Sequence, residues 1–338
     1  MGAMPKRKGD PMPGPIVGLH HVTAVASDPQ RNLDFYTQVL GLRFVKRTVN
    51  FDDPGTYHFY FGDDAGTPGT ILTFFPWPGA RNGATGAGEV TRTAFSVSAS
   101  SLGFWEQRLG GFHIPVEHTG KRFEEEVLTF SDPDGMKIEI VAHAGVGPGN
   151  ESRFSAVPAE HAIRSFFGVT LSEQRKEETS AILTIMGFRL AGEVGNRLRF
   201  AAEGNALGNH IDLLLDPKAR FGEIGAGSVH HIAFRVPDDS AQKEWREEIK
   251  KYSNVTPVRD RVYFHSIYFR EPGGVLFELA TDPPGFALDE PIDSLGEELR
   301  IPYWLEPKRD WIESRLHPVT LHKEAIRLVP QIAGGGNQ

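Results

Sequence analysis

The chain has 338 residues, with 36 Lys and Arg against 44 Asp and Glu, 39% apolar residues, 10% aromatics and no cysteine. The length suits about two ordinary domains, the apolar content is too high for a disordered polymer, and a net charge of −8 without a long basic block argues against a nucleic-acid footprint. The lack of Cys removes disulfides, thiolate nucleophiles, Cys-rich zinc sites and iron–sulfur clusters together.

Residues 1–15 form a basic Pro/Gly tract, expected to be disordered. No signal-peptide core follows it and no apolar run approaches the roughly 18 residues of a membrane helix. The expected location is cytoplasmic, with no membrane partner. From Gly18 the chain repeats itself four times as strand, amphipathic helix, then strands that end in a turn and an apolar strand. The first repeat opens with Gly18-Leu19-His20-His21-Val22-Thr23. Its helix is signalled by Asp28-Pro29, carries Leu33, Phe35, Tyr36, Val39 and Leu40 at helical spacing, and stops at Gly41. It closes at Thr70-Ile71-Leu72-Thr73-Phe74.

The second repeat opens at Thr93, has a helix over 102–109 and closes with Met136-Lys137-Ile138-Glu139-Ile140. The third, over 162–215, is the most degenerate. The fourth opens with Val229-His230-His231-Ile232-Ala233, has a helix over 240–252 and closes with Gly274-Val275-Leu276-Phe277-Glu278-Leu279. The expected fold is α+β: four βαβββ modules in two pairs, modules one and two over 16–144 and three and four over 158–282. Residues 283–338 then form a Pro- and charge-rich extension with a helix near 310–316.

Repeats allow equivalent positions to be compared. On the first strand, modules one and four hold His21 and His231, while Arg92 and Arg164 stand near that place in modules two and three. On the last strand, four residues after the turn glycine, stand Thr73, Glu139, Asp212 and Glu278. A lone strand His is more often packed than ligating. Two His pairs at one repeat position change that balance. Glu278 lies between Phe277 and Leu279, where burial is costly unless a cation meets it. Two imidazoles and one carboxylate with open positions suit Fe(II) oxygenases, with Mn(II) as the alternative ion; a closed zinc site would want four protein ligands. His21, His231 and Glu278 are therefore the candidate ligands, and modules one and four should share one sheet. Glu139 lacks a matching His, so a structural ion pair is the better reading there. Strand alternation points only one His of each pair at the ion and places Thr23 on the face of His21. His20 and His230 are left either as hydrogen-bond partners of the ligands or as packed residues.

The run Ile267-Tyr268-Phe269-Arg270-Glu271-Pro272-Gly273-Gly274-Val275-Leu276-Phe277-Glu278 resembles the C-terminal half of the extradiol ring-cleavage dioxygenase pattern. Tyr268 and Glu278 match its Tyr and metal-binding Glu, but Arg261 stands where the pattern has His, seven residues before the Tyr. In that departure, and in module one from Phe44 to Pro76, the chain is similar to the hydroquinone-cleaving branch of the vicinal-oxygen-chelate superfamily, which includes glyoxalases, bleomycin-resistance proteins and extradiol dioxygenases. The resemblance covers about Gly18 to Gly296. It implies O₂-dependent cleavage of a small aromatic substrate beside a phenolic carbon, with His21, His231 and Glu278 on the metal. It also assigns His20, Thr23, His230, Arg261 and Tyr268 to the pocket. Arg261 stays protonated and can stabilise anionic charge but cannot act as a base; the alternative for it is an ion pair with Asp260 or Glu271. Catechol cleavage, a glyoxalase-like lyase or isomerase, and a metal-free binding module remain as rivals. A homo-oligomer is left open.

Overall fold

The computed structural model describes residues 13–146, 154–204 and 208–322. Strand β1 (Leu19–Ala26) leads into α1 (Pro29–Asp34), which Asp28 caps by accepting the Arg31 amide at 2.8 Å. Pro29 takes the first helical position, where a missing N–H costs nothing. The helix then widens to a π turn over Phe35–Val39, with the Leu40 amide bonded to the Phe35 carbonyl. Gly41 ends it at φ +70°, and a Cβ there would lie 2.3 Å from Ser155 Oγ. Strands β2 (Arg43–Asn50), β3 (Asp53–Gly62) and β4 (Ile71–Pro76) complete module one.

Module two repeats the pattern as β5 (Glu89–Ser98), α2 (Leu102–Gly111), β6 (Glu117–Arg122), β7 (Glu125–Ser131) and β8 (Lys137–His143). Module three is β9 (Ser165–Glu173), α3 (Glu177–Ile185), β10 (Arg189–Val194), β11 (Arg197–Ala201) and β12 (His210–Leu215). Module four is β13 (Val229–Val236), α4 (Asp239–Ile249), β14 (Arg259–Asp260), β15 (Phe264–Arg270) and β16 (Leu276–Pro284). A short helix, α5 (Arg309–Glu313), follows in the extension.

The strands form two eight-stranded sheets, ordered β14-β15-β16-β13-β1-β4-β3-β2 and β10-β11-β12-β9-β5-β8-β7-β6. Modules one and four make the first sheet, and modules two and three the second. Each sheet thus takes one module from either half of the chain. Within a module the first and last strands are parallel neighbours, and β1 meets β13 antiparallel at the centre of the first sheet.

Alternation along these strands separates two faces. Leu19, Val22, Ala24, Phe277 and Leu279 join the main core, together with Trp105 of α2 and Trp245 of α4. The intervening residues Ala233 and Ala280 fall in a second cluster with Tyr60, Tyr263 and Phe264. The extension closes that cluster with Phe286 and Leu295. It is fastened by Lys46, fully buried, which bonds Asp289 at 2.6 Å and also Glu290. Of the tract expected to be disordered, residues 1–12 lie outside the described residues, as do 323–338 of the extension. The tract's last residues are exposed but tethered: Gly14 O accepts from Trp245 Nε1 at 3.1 Å, and Pro15 lies against Gly187. Among the described residues no helix is long and apolar enough to cross a membrane.

Candidate metal centre

Strand register fixes which residues are equivalent. Thr23 pairs with Thr73 and Ala233 with Glu278, so His21 and His231 each stand two residues before the paired position. In the second sheet Ala94 pairs with Glu139 and Thr170 with Asp212, which puts Arg92 and Gly168 in the same place. Arg92 is where the sequence comparison put it, but Arg164 is not. It lies four residues before Gly168 and donates to the Ala159 carbonyl. The degenerate third repeat concealed a glycine that the strand requires, since a Cβ at Gly168 would come within 2.0 Å of the His210 carbonyl oxygen.

His21, His231 and Glu278 converge. The two Nε2 atoms are 3.3 Å apart, and they lie 3.3 and 2.9 Å from Glu278 Oε2. All three residues are buried, Glu278 completely. Ser266 Oγ donates to Glu278 Oε1 at 2.5 Å, while among the described residues Oε2 finds no hydrogen-bond donor in proper geometry. Burial would raise the Glu278 pKa, but the flanking His21 and His231 outweigh it and hold the carboxyl well below the usual carboxylate range. Burial also lowers the His231 pKa, which disfavours an imidazolium as the neutralising charge. Three lone-pair atoms facing one another at these distances repel unless a cation sits among them. Donors at about 2.0–2.2 Å from one ion lie about 3 Å apart, so the group fits a divalent metal.

The outer histidines depart from strict alternation. Residue His20 is bulged on β1 and His230 on β13, one extra residue in each strand of the central pair. The bulges bring His20 Nδ1 to 2.9 Å from His21 Nδ1, and His230 Nδ1 to 2.8 Å from His231 Nδ1. Each candidate ligand therefore has its Nδ1 engaged and its Nε2 free for the ion, the arrangement that sets tautomer and ring orientation. Burial, followed by the neighbouring His21, pushes the His20 pKa well below the usual histidine value. Burial and His231 push His230 down to about 3. Both stay neutral and able to accept.

A cavity of about 270 Å³ opens on the triad, walled by residues of modules one and four. His230, Arg261 and Tyr268 line it beside the ligands; His20 and Thr23 do not. Arg261 Nε donates to Tyr268 OH at 3.1 Å, and Nη2 pairs at 3.0 Å with Asp52, which reaches over from the β2–β3 hairpin. Its partner is neither Asp260 nor Glu271: Asp260 accepts the Val262 amide and Glu271 the Thr179 hydroxyl. Burial opposes the Arg261 charge, but Tyr268 and Asp52 outweigh it and keep the guanidinium protonated. Burial, then Glu278, pushes the Tyr268 phenol above its usual value, so it keeps its proton.

Thr23 instead joins a partly buried chain in which Tyr60 OH, His58, Thr73 Oγ1 and Thr23 Oγ1 are linked at 2.9, 2.9 and 2.8 Å. Sequence reasoning missed His58, Tyr60, Phe75, Trp77 and Phe264 on the cavity wall, and Ser266 behind Glu278. A signal was available for two of them. Tyr60 pairs with Thr73, so His58 and Tyr60 alternate onto the face of the ligand slot.

Comparisons with known proteins bear out the fold. The family model described as Glyoxalase/Bleomycin resistance protein/Dioxygenase superfamily matches residues 18–140 and 167–279. The chain is 49% identical over 304 residues to MhqO of Bacillus subtilis (strain 168), assigned as a ring-cleaving dioxygenase, covering 89% of this chain and 96% of that one. It is 33% identical over 307 residues to a chlorohydroquinone/hydroquinone 1,2-dioxygenase of Sphingobium indicum, covering 88% and 95%. A crystal structure of a protein assigned as a dioxygenase from Bacillus subtilis superposes with a TM-score of 0.86 at 47% identity, over 91% of this chain and 99% of the other. A paired-module fold, a two-His-one-Glu cluster at the centre of one sheet and a family match over both halves lead to one conclusion: the chain belongs to the glyoxalase/bleomycin resistance protein/dioxygenase superfamily.

Proposed function

We propose that the protein is an Fe(II)-dependent ring-cleaving dioxygenase that acts with O₂ on hydroquinone-type, para-dihydroxy aromatics. The observation that carries the reading is the buried His21–His231–Glu278 cluster opening onto a cavity whose wall presents Arg261 and Tyr268 together. Two imidazoles and one carboxylate, with no fourth protein ligand among the described residues, leave adjacent positions for two reactants, the donor set that favours Fe(II) over a closed zinc site. Mn(II) suits the same donors and is the alternative ion. When bound, the metal supplies electron transfer between an electron-rich phenol and O₂, chemistry that no side chain here can supply.

The chain's own residues bind and orient. Phe75, Phe264 and Trp77 offer aromatic faces to a flat ring and keep water from it. Tyr268, neutral and half-buried, can donate to a substrate oxygen. Arg261, charged throughout the working pH range, stabilises negative charge that develops on the substrate. It cannot take a proton. A catechol presents two adjacent oxygens to an ion and a para-hydroquinone one, and a fixed cation in place of a titratable His favours an anionic phenolate without proton exchange. The 33% identity to the Sphingobium hydroquinone enzyme supports the same substrate class. A lyase of the glyoxalase kind would want a carboxylate at Thr73. That hydroxyl is committed to Thr23 and His58.

The test is O₂ uptake by protein loaded anaerobically with Fe(II), then with Mn(II), across hydroquinone, chlorinated and alkylated hydroquinones and catechol. Uptake confined to loaded protein, with kcat/KM higher for hydroquinones than for matched catechols, is the expected outcome. A preference for catechol overturns the substrate assignment. No uptake with either ion overturns the oxygenase.

A further inference from the structure

Arg261 is presented by an unusual piece of backbone. Val262 has φ +67°, and the Tyr263 amide bonds back to the Arg261 carbonyl at 2.8 Å. Together these describe a γ-turn of the rarer, strained hand, with a β-branched residue at its centre. Such a turn persists only where its surroundings hold it. Beside the local bonds of the Val262 amide to Asp260 and of the Arg261 amide to the Phe264 carbonyl, support comes from the extension. The Gly285 amide donates to the Tyr263 carbonyl at 2.9 Å, and Tyr263 OH donates to Asp289 Oδ2 at 3.0 Å. Asp289 is bonded in turn by the buried Lys46 of β2, whose ammonium lies 4.8 Å from the centre of the Tyr263 ring. Phe286 packs against the same ring at 5.0 Å.

The extension therefore ties a strained turn of module four to a buried lysine of module one, two residues from the side chain that reaches the cavity. We propose that Tyr263 and Asp289, anchored by Lys46, are positioning residues that hold Arg261 against Tyr268, and that the 283–290 segment serves the active site as a strap. This rests on the reading of Arg261 as a substrate-facing cation. It adds that the residue's backbone is held in part from outside the four modules.

The test compares Tyr263→Phe, which keeps the ring and loses the hydroxyl, in two backgrounds. If Tyr263 acts through Arg261, its loss lowers kcat/KM for hydroquinone about tenfold in the unaltered protein, the scale of one hydrogen bond, and changes nothing further in Arg261→Ala. Bound iron should be unchanged in all variants. An equal loss in both backgrounds, or none in either, overturns the proposal. Asp289→Ala, which leaves Lys46 paired with Glu290, repeats the test from the other end of the strap should Tyr263→Phe fail to fold. A crystal structure of the same variant gives a readout independent of turnover: the Arg261–Tyr268 bond is expected to open, and its retention at 3.1 Å overturns the proposal. Failure of the ring-cleavage reading looks different, because the unaltered protein would then consume no O₂ while the bond still opens in the variant.

Discussion

The two sheets are built from the same module and place a residue at the same slot, yet they neutralise buried carboxylates in different ways. In the second sheet Glu139 is held by Arg122 at 2.5 and 2.8 Å and by Arg92 at 3.1 Å. Asp212 is held by Arg199 at 2.8 and 3.0 Å and by Arg197 at 2.9 Å. Burial would raise the Asp212 pKa, but Arg199 and Arg197 outweigh it and lower it. The guanidinium groups fill the concavity, which shrinks to about 10 Å³. In the first sheet Glu278 faces the imidazoles of His21 and His231, Thr73 replaces the second carboxylate, and a cavity of about 270 Å³ remains. A dry carboxylate needs a cation in either case. Where the sheet itself supplies Arg the cation is covalent and the site is closed; where the first strands supply His, the cation must come from solution and room is left for reactants.

That contrast can be broken or sharpened by substitution. Glu278→Gln should strip the metal and reduce kcat/KM by more than the roughly 10–100-fold typical of an outer partner, with little change in the urea midpoint of the metal-free protein. Metal analysis beside O₂ uptake checks it, and full metal content with normal turnover would sink the assignment. Glu139→Gln should do the opposite. It leaves half-buried guanidinium groups uncompensated at a cost of about 3 kcal/mol in urea unfolding, while metal content and KM hold. Arg261→Ala should lose about 2–4 kcal/mol of transition-state stabilisation, measured as kcat/KM on hydroquinone, and Arg261→His should narrow the gap to catechol. The smallest effect is expected from His20→Gln and His230→Gln, which keep an acceptor but not its geometry: metal affinity should fall about tenfold each, read by competition with a chelator.

Much of this was legible in the sequence because modules one and four are close copies. The His21 and His231 slots follow from matching the first strands of the repeats and the Glu278 slot from counting four residues on from a shared turn glycine, and register agrees. The outer histidines were harder. A period-two reading sends His20 and His230 away from their neighbours, and only the partner strand reveals that each is an inserted residue. The cavity wall was illegible for a related reason. Asn50, Phe51 and Asp52 reach the site from a hairpin that meets module four only after 200 or more intervening residues have folded, as the Asp52–Arg261 separation of 209 shows. The Val262 turn carries no turn-forming residue at its centre, so its strain could not be anticipated from composition.

The nested order of the modules also has a consequence for synthesis. Modules two and three are consecutive and can pair as soon as both have emerged, but β1 must wait for β13, and His21 and His231 are separated by 210 positions. At about 5–20 residues per second that wait lasts roughly 10–40 s, during which one edge of an eight-residue, wholly buried strand stays unpaired. A nascent chain in that state is a target for edge-to-edge aggregation and for chaperones. The half-made sheet carries His21 without its partners, so the metal can be captured only after module four has left the ribosome.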